Sequence, residues 1–477
     1  MQSHVSKPKN SLRLIMTAAL FLSALIGCVG EQQETHPLTR PHYPSGLAIS
    51  GNTLAVLSMN FDRRFTSGAL LTVDLDKVEN ELQKLGSVPP ASRFISGDAV
   101  VTSSAFVPSL ARQTIALSGA ATGTEPAPIT FIFQNRDQET IQAVPLNRNT
   151  GTIRCARPAT MAAADVLGQD CREAAGILKL SGREPYTMAA LPKEPGDTGF
   201  PKVAVAYLGS DQIDVVEFNA NGLPARVAAT VNLLALVDKS DLHKNVGAQV
   251  MRMRIRSLKT LTKGQGGYAG ESIVLAALEF KLSVDTSFLD PTAARVVWFP
   301  VAKLLSGQLQ SSDLGEWNLT KQINSKGVSD VEAIAENGKV RLYALLTKTD
   351  AIVAADFNAV PGGKKLQSAS LRRILDTCDN PLQITYVPSQ KTLVVGCRDT
   401  MAQASLRLVD PATLEPTHIV NRFGRGMEAF AVSPERNRVY VSYGTNGTVG
   451  ILSTEDGKLE IKGHIFPNAP RNLPGGL

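Results

Sequence analysis

The residues best placed to do chemistry are four carboxylates, Asp98, Asp330, Glu332 and Glu428. Each stands at or beside the start of a short apolar run, so a fold that gathers those starts would gather the acids. Converging carboxylate oxygens suit a hard cation such as Ca²⁺. They also suit general acid–base work on a sugar or a lactone. The same glutamates could instead cap strand ends or pair with arginines such as Arg425. A second candidate is Met251-Arg252-Met253-Arg254-Ile255-Arg256, whose strict alternation puts three arginines on one face of a strand and three apolar residues on the other. That face is either an anion-binding stripe or a solvated surface paired with acids across a sheet. The six histidines (His4, His36, His42, His243, His418, His464) are scattered, with no HExxH and no Ser, His and Asp in a triad order. Residues Gly264 to Gly270 are glycine-rich but lack the Lys-Ser/Thr of a phosphate loop, which leaves a hairpin loop.

The elements that must position these residues are short strands. Apolar runs rich in Val, Ile, Leu and Ala recur between clusters of Gly, Pro, Asn and Asp. The last unit is the clearest. Met427 to Val432 runs into Ser433-Pro434, Arg438 to Tyr443 is a second strand, Thr448 to Leu452 a third, and Leu459 to Ile465 a fourth. Asn446-Gly447 between the second and third is a strong hairpin signal. Four antiparallel strands in about forty residues make one blade of a β-propeller. The same order recurs from Pro44, Pro185, Val331 and Pro381, and an acid closes the third strand in most copies (Asp74, Glu217, Asp356, Asp410). Strand starts near 44, 98, 185, 250, 331, 381 and 427 predict an all-β propeller of seven blades over 43–466, with six and eight left open. Aligning the copies sets Ser45, Tyr186, Glu332, Leu382 and Glu428 at one equivalent position facing a central channel. A long insertion is expected between 145 and 184, with a short helix over 159–167, and helical spacing also runs from Leu233 to Leu242.

Val432-Ser433-Pro434 and Tyr440-Val441-Ser442-Tyr443 resemble the repeats of the YVTN and lactonase-like β-propeller families. The other copies keep only the apolar centre of the motif. The resemblance implies the fold and carries over no catalytic residue.

The N-terminus reads as an address. Lys7, Lys9 and Arg13 precede the apolar run Leu14 to Ile26, which is shorter than the roughly 20 residues that span a bilayer. Leu25-Ile26-Gly27-Cys28 resembles the lipobox of bacterial lipoproteins. That resemblance implies cleavage after residue 27, lipid on Cys28, and a cell-envelope location. Val29, where an Asp would retain the protein at the inner membrane, points by the same resemblance to the outer membrane. Residues 28–42 form a polar tether and 467–477 a tail. Cys28 taken by lipid leaves Cys155, Cys171, Cys378 and Cys397, whose spacing favours two local disulfides in an oxidising compartment.

Removing the signal lowers the net charge from +6 to +3, which is no footprint for nucleic acid. Two tryptophans are too few for the docking repeats of quinoprotein dehydrogenases. The expected function is an envelope-anchored scaffold whose propeller binds a protein or glycan without catalysis. The alternative is a lactonase-like hydrolase, or another small-molecule enzyme, with its site in the channel. No cofactor is expected, and Ca²⁺ is the one candidate ion.

Overall fold

The computed structural model describes residues 35–466 apart from 61–64, 122–126, 156–166, 173–175, 194–198, 240–250, 283–292, 358–370, 375–377, 379, 399–402 and 446. Seven small, mainly antiparallel sheets are arranged as the seven blades of a propeller. The innermost strands of blades 1 to 7 are Pro44–Ser50, Ala111–Ser118, Pro185–Ala190, Met251–Leu261, Asp330–Glu336, Pro381–Val387 and Met427–Ser433. Six of the seven starts lie within one residue of the expected positions.

The exception is the start expected near 98. Val101–Val107 is not an inner strand but pairs antiparallel with Gly68–Asp74 as the outer part of blade 1. An inserted helix, Leu75–Lys84, displaces it along the chain. Asp74 caps this helix by accepting the N–H groups of Asp76 and Lys77, and Leu75, Val78 and Leu82 bury one side. The helix went unread because its apolar stripe is only three residues long. The insertion between 145 and 184 is present. It contributes Gln169–Asp170, which extends blade 1 in parallel, and Ile177–Lys179, which edges blade 2. The helix expected at 159–167 lies almost wholly outside the described residues. Of the stretch 233–242, the residues described, up to 239, form the single turn Leu233–Leu236. The glycine-rich stretch is the hairpin loop of blade 4, and Gly266 is required there. Its φ is +56°, and a Cβ would sit 1.6 Å from the Ala335 carbonyl oxygen of the next blade.

The apolar core is not central. It is divided into seven clusters, each shared by two neighbouring blades. Leu117, Ile132 and Ile141 of blade 2 meet Met188, Val203 and Val205 of blade 3, for example, and Leu406 and Leu408 of blade 6 meet Phe430 and Val441 of blade 7. Each sheet is apolar on both faces because each face meets a neighbour, so the strands read as continuous apolar runs. The axis of the ring is therefore left to polar side chains.

Both ends of the described chain meet where blade 1 touches blade 7. Leu47, Leu54 and Leu71 of blade 1 and Val78 and Leu82 of the helix pack with Tyr440, Val449, Ile451 and Ile465 of blade 7. Phe94–Ile95 pairs in parallel with His464 and Ile465 and covers the outer edge of blade 7. The helix adds charge. Glu79 receives Arg438 at 3.0 and 3.1 Å, and Asp76 receives Arg436 at 2.7 Å. Two disulfides staple excursions from the ring. Cys155–Cys171 and Cys378–Cys397 have Cα separations of 5.2 and 5.4 Å. In blade 6, Cys397 stands opposite Pro381, the first residue of the inner strand, as a hairpin returning through 388–391 requires.

Arg438 is nearly buried, at 12% exposure, and also meets Glu455 and Ser453. Arg438→Ala is expected to lower stability by about 2–3 kcal/mol, the scale of charge-assisted hydrogen bonds lost from a part-buried site. Urea unfolding followed by circular dichroism measures this. A change under about 0.5 kcal/mol, typical of exposed pairs, would show that the helix does not hold the ring closed.

Candidate functional site

The inner strands are tied to one another by side chains. Ser45 Oγ donates to the Ala111 carbonyl at 2.9 Å, joining blade 1 to blade 2. Gln113 accepts the Met188 N–H at 2.8 Å and donates to the Met188 carbonyl at 3.3 Å. Thr187 Oγ1 accepts the Leu258 N–H at 3.2 Å. Ser257 donates to Asp330 Oδ1, and Asp330 Oδ2 accepts the Ile384 N–H at 2.8 Å. Gln383 both accepts from and donates to the backbone of Phe430 at 3.1 Å. Tyr43 Oη closes the circle by donating to Glu428 Oε1 at 2.9 Å. All seven blade junctions are thus bridged around one level of the channel.

Register explains how short polar residues reach so far. The pairing of the inner strand with the second strand slips at Ser45, Gln113, Tyr186, Arg256, Leu382 and Glu428, six bulges at nearly the same height. A bulge bends the strand and re-aims the extra residue. At this height the channel widens into a cavity of about 270 Å³. Its wall includes Arg112, Tyr186, Arg256, Lys259, Asp330, Gln383 and Glu428, drawn from blades 2 to 7, with Ser45 and Gly46 from blade 1.

Asp330 is buried in the hydrogen-bonded circle. Glu332 is not equivalent to Glu428. Blade 5 has no bulge and turns through Asn337 and Gly338, both at positive φ. The position matching Gln383 and Ser257 there is Asp330, and Glu332 lies further along. Its Oε2 is 3.7 Å from Lys259 Nζ. Burial disfavours the Lys259 charge, but Asp330 and Glu332 outweigh it and hold the ammonium above the ordinary lysine value. Glu428 lines the cavity from blade 7 and also receives Arg398. Asp98 is elsewhere, exposed in the short helix Gly97–Val100, where it accepts from Thr39 Oγ1 at 2.5 Å. The structure therefore brings Asp330 and Glu332 together, sets Glu428 on another wall, and leaves Asp98 apart. Among the described residues no three His, Cys, Asp or Glu side chains gather as a metal site would need.

Of the cationic wall, the sequence offers Arg256 in its alternating stripe and Tyr186 at the channel position, but carries no signal for Arg112 or Arg136. Arg112 lies over the Tyr186 ring at 4.2 Å and its Nη2 donates to Tyr186 Oη at 3.1 Å. Arg256 lies 5.2 Å from the same ring. Of the alternating stripe, Arg252 is exposed, while the bulge carries Arg256 into the channel. The nearest carboxylate to Arg256, Glu279, is 3.7 Å away, as is Glu184 from Arg136. Arg112 makes no ion pair among the described residues. Burial raises the Tyr186 pKa, yet Arg112, Arg256 and Arg136 overcome burial and Glu279, and hold the phenol below its ordinary value. Chemically, this wall can receive an anion.

No protein-family model matches the chain, and no curated protein matches it. Solved structures do. A "putative 6-phosphogluconolactonase" from Bacteroides uniformis superposes with a TM-score of 0.52 at 15% identity, covering 86% of this chain and 95% of that one. The likeness is one of fold. A "putative 6-phosphogluconolactonase" from Bacteroides fragilis (12% identity, TM-score 0.49, covering 89% and 94%) and a Lactobacillus plantarum protein (11%, 0.44, 80% and 84%) are more distant.

Asp330→Ala would strand the buried Ile384 N–H and break the circle at two junctions. The expected cost is about 3 kcal/mol, with Asp330→Asn costing about 1 because an amide oxygen can still accept. Chemical denaturation of both variants measures the difference, and equal costs would show that hydrogen-bond acceptance is not what matters.

Proposed function

We propose that the channel binds a small organic anion bearing a phosphate or carboxylate, and that the protein is a hydrolase opening a lactone with such a group. The observation that carries this reading is the wall of blades 2 to 4. Arg112, Arg136 and Arg256 converge there, and among the described residues their ion pairs are no shorter than 3.7 Å. Three guanidinium groups facing only two carboxylates, each at 3.7 Å, favour a ligand that supplies further negative charge, and a guanidinium fork matches both phosphate and carboxylate. The cavity volume suits a molecule of sugar size. Glu428 lines the cavity from blade 7, with Oε1 already accepting from Tyr43 and Arg398. The lactonase names borne by two fold neighbours agree with this reading and do not carry it. Compared with a non-catalytic scaffold for a protein or glycan, the channel reading has a built cavity behind it.

The export and anchoring expectations accompany this proposal. Cys28 and the signal lie outside the described residues. The first described residues, from 35 on, lie against blade 1. His36 is buried there, with Nε2 3.1 Å from Ser58 Oγ. A lipid on Cys28 would hold the propeller within a few residues of the membrane surface, at the outer membrane if Val29 sorts it there.

Two measurements test these statements. Isothermal titration with inorganic phosphate and with gluconate is expected to show binding to the purified propeller. Arg112→Gln should weaken it about 10- to 100-fold, the loss of one charge-assisted hydrogen bond. Unchanged affinity in that variant, or no binding in the wild type, removes the channel reading. Metabolic labelling with palmitate is expected to mark the wild type and not Cys28→Ser, and an unlabelled wild type rejects the anchor.

A further inference from the structure

Tyr186 occupies an unusual position on the channel wall. One guanidinium covers its ring and donates to its oxygen, and a second lies near the ring. Because Arg112 Nη2 donates, Tyr186 Oη acts as the acceptor in that bond. The phenol proton is left to point into the cavity or to depart. The charged groups that face the phenol are Arg112 and Arg136 from blade 2 and Arg256 and Glu279 from blade 4. Three positive charges against one negative stabilise a phenolate.

The other titratable groups of the cavity are already committed. Glu428 Oε1 is taken by Arg398 and Tyr43, Lys259 faces Glu332, and Asp330 is held in the circle of hydrogen bonds. Among the described residues no histidine lines the cavity. Tyr186 is the group left with an oxygen able to give and take a proton beside the anion-binding wall.

We propose that Tyr186 is the proton-transfer residue of this site. This rests on the reading of the channel as a lactone hydrolase. The phenolate takes a proton from water as the water oxygen bonds to the lactone carbonyl carbon. The bond from that carbon to the ring oxygen then breaks, and the phenol returns its proton to that oxygen. The products are the hydroxy acid and Tyr186 in its starting form. Arg112, which donates to Tyr186 Oη, stabilises the phenolate.

The proposal has a readout that needs no ligand. Tyrosinate absorbance of the full-length wild type, followed against pH, should show one tyrosine ionising below the ordinary value near 10. That step should vanish in Tyr186→Phe and move upward in Arg112→Gln. Phosphate, by placing negative charge beside the phenolate, should move it upward in the wild type. Tyr186→Phe should keep its fold, seen as an unchanged circular dichroism spectrum, and should still bind phosphate in the calorimeter. It should lose at least about 100-fold in hydrolysis of 6-phosphoglucono-δ-lactone or of glucuronolactone, the scale of a general acid–base group. The two lactones separate a phosphate-bearing from a carboxylate-bearing substrate. Wild-type rates in Tyr186→Phe, no low-ionising tyrosine, or a wild type that opens neither lactone would each overturn the proposal. Failure of the binding reading shows separately, as absence of phosphate binding in the calorimeter.

Discussion

The circle of side-chain to backbone hydrogen bonds at the inner strands is the constraint on which the rest of this molecule depends. Each blade is a small sheet with two apolar faces and no core of its own, so it is stable only between two neighbours. Apolar burial between blades is non-directional and would tolerate sliding. The hydrogen bonds from Ser45, Gln113, Thr187, Ser257, Asp330, Gln383 and Tyr43 are directional, and each fixes one blade in height against the next. Without them the bulged residues would not face one another at a common level. The clasp between blades 1 and 7 then secures the ring where the chain itself cannot.

From that constraint the electrostatics of the channel follow. The bulges re-aim the inner strands of six blades toward the axis, and the residues they present differ around the ring. Blades 2 to 4 supply Arg112, Tyr186 and Arg256, while blade 7 supplies Glu428. Of the acids expected to converge, only Asp330 and Glu332 come together, and Glu332 is paired with Lys259 as Glu428 is with Arg398. Arg112 and Arg256 are crowded against one aromatic ring, 4.2 and 5.2 Å from the centroid of Tyr186. A channel of this kind presents a cationic wall that receives an anion.

Much of the fold was legible because blade 7 repeats the pattern without interruption, and its turn residues punctuate each strand. Blade 2 was misread for a physical reason. Its inner strand opens with Arg112, Gln113 and Thr114, which face the channel and so break the apolar pattern. Val101, Ala105 and Val107 give the outer strand Val101–Val107 the more apolar pattern of the two. Glu332 was placed level with Glu428 because register slips leave no mark on composition. Only the absence of a bulge in blade 5 and its two-residue turn reveal the offset. The local disulfide Cys378–Cys397 was readable since both ends lie on one hairpin. The stack of Arg112, Tyr186 and Arg256 was not, because its members come from three blades and meet only once the ring closes.

The central claim is that ring closure builds a cationic wall ready for an anion. The most direct measurement is a crystal structure of the protein grown or soaked with tungstate, whose anomalous signal locates a phosphate-like anion. The account predicts a peak in the channel within hydrogen-bond distance of Arg112 and Arg256, with both guanidinium groups against the Tyr186 ring. An empty channel in crystals that take up tungstate elsewhere, or Arg112 turned away onto Glu184, would contradict it.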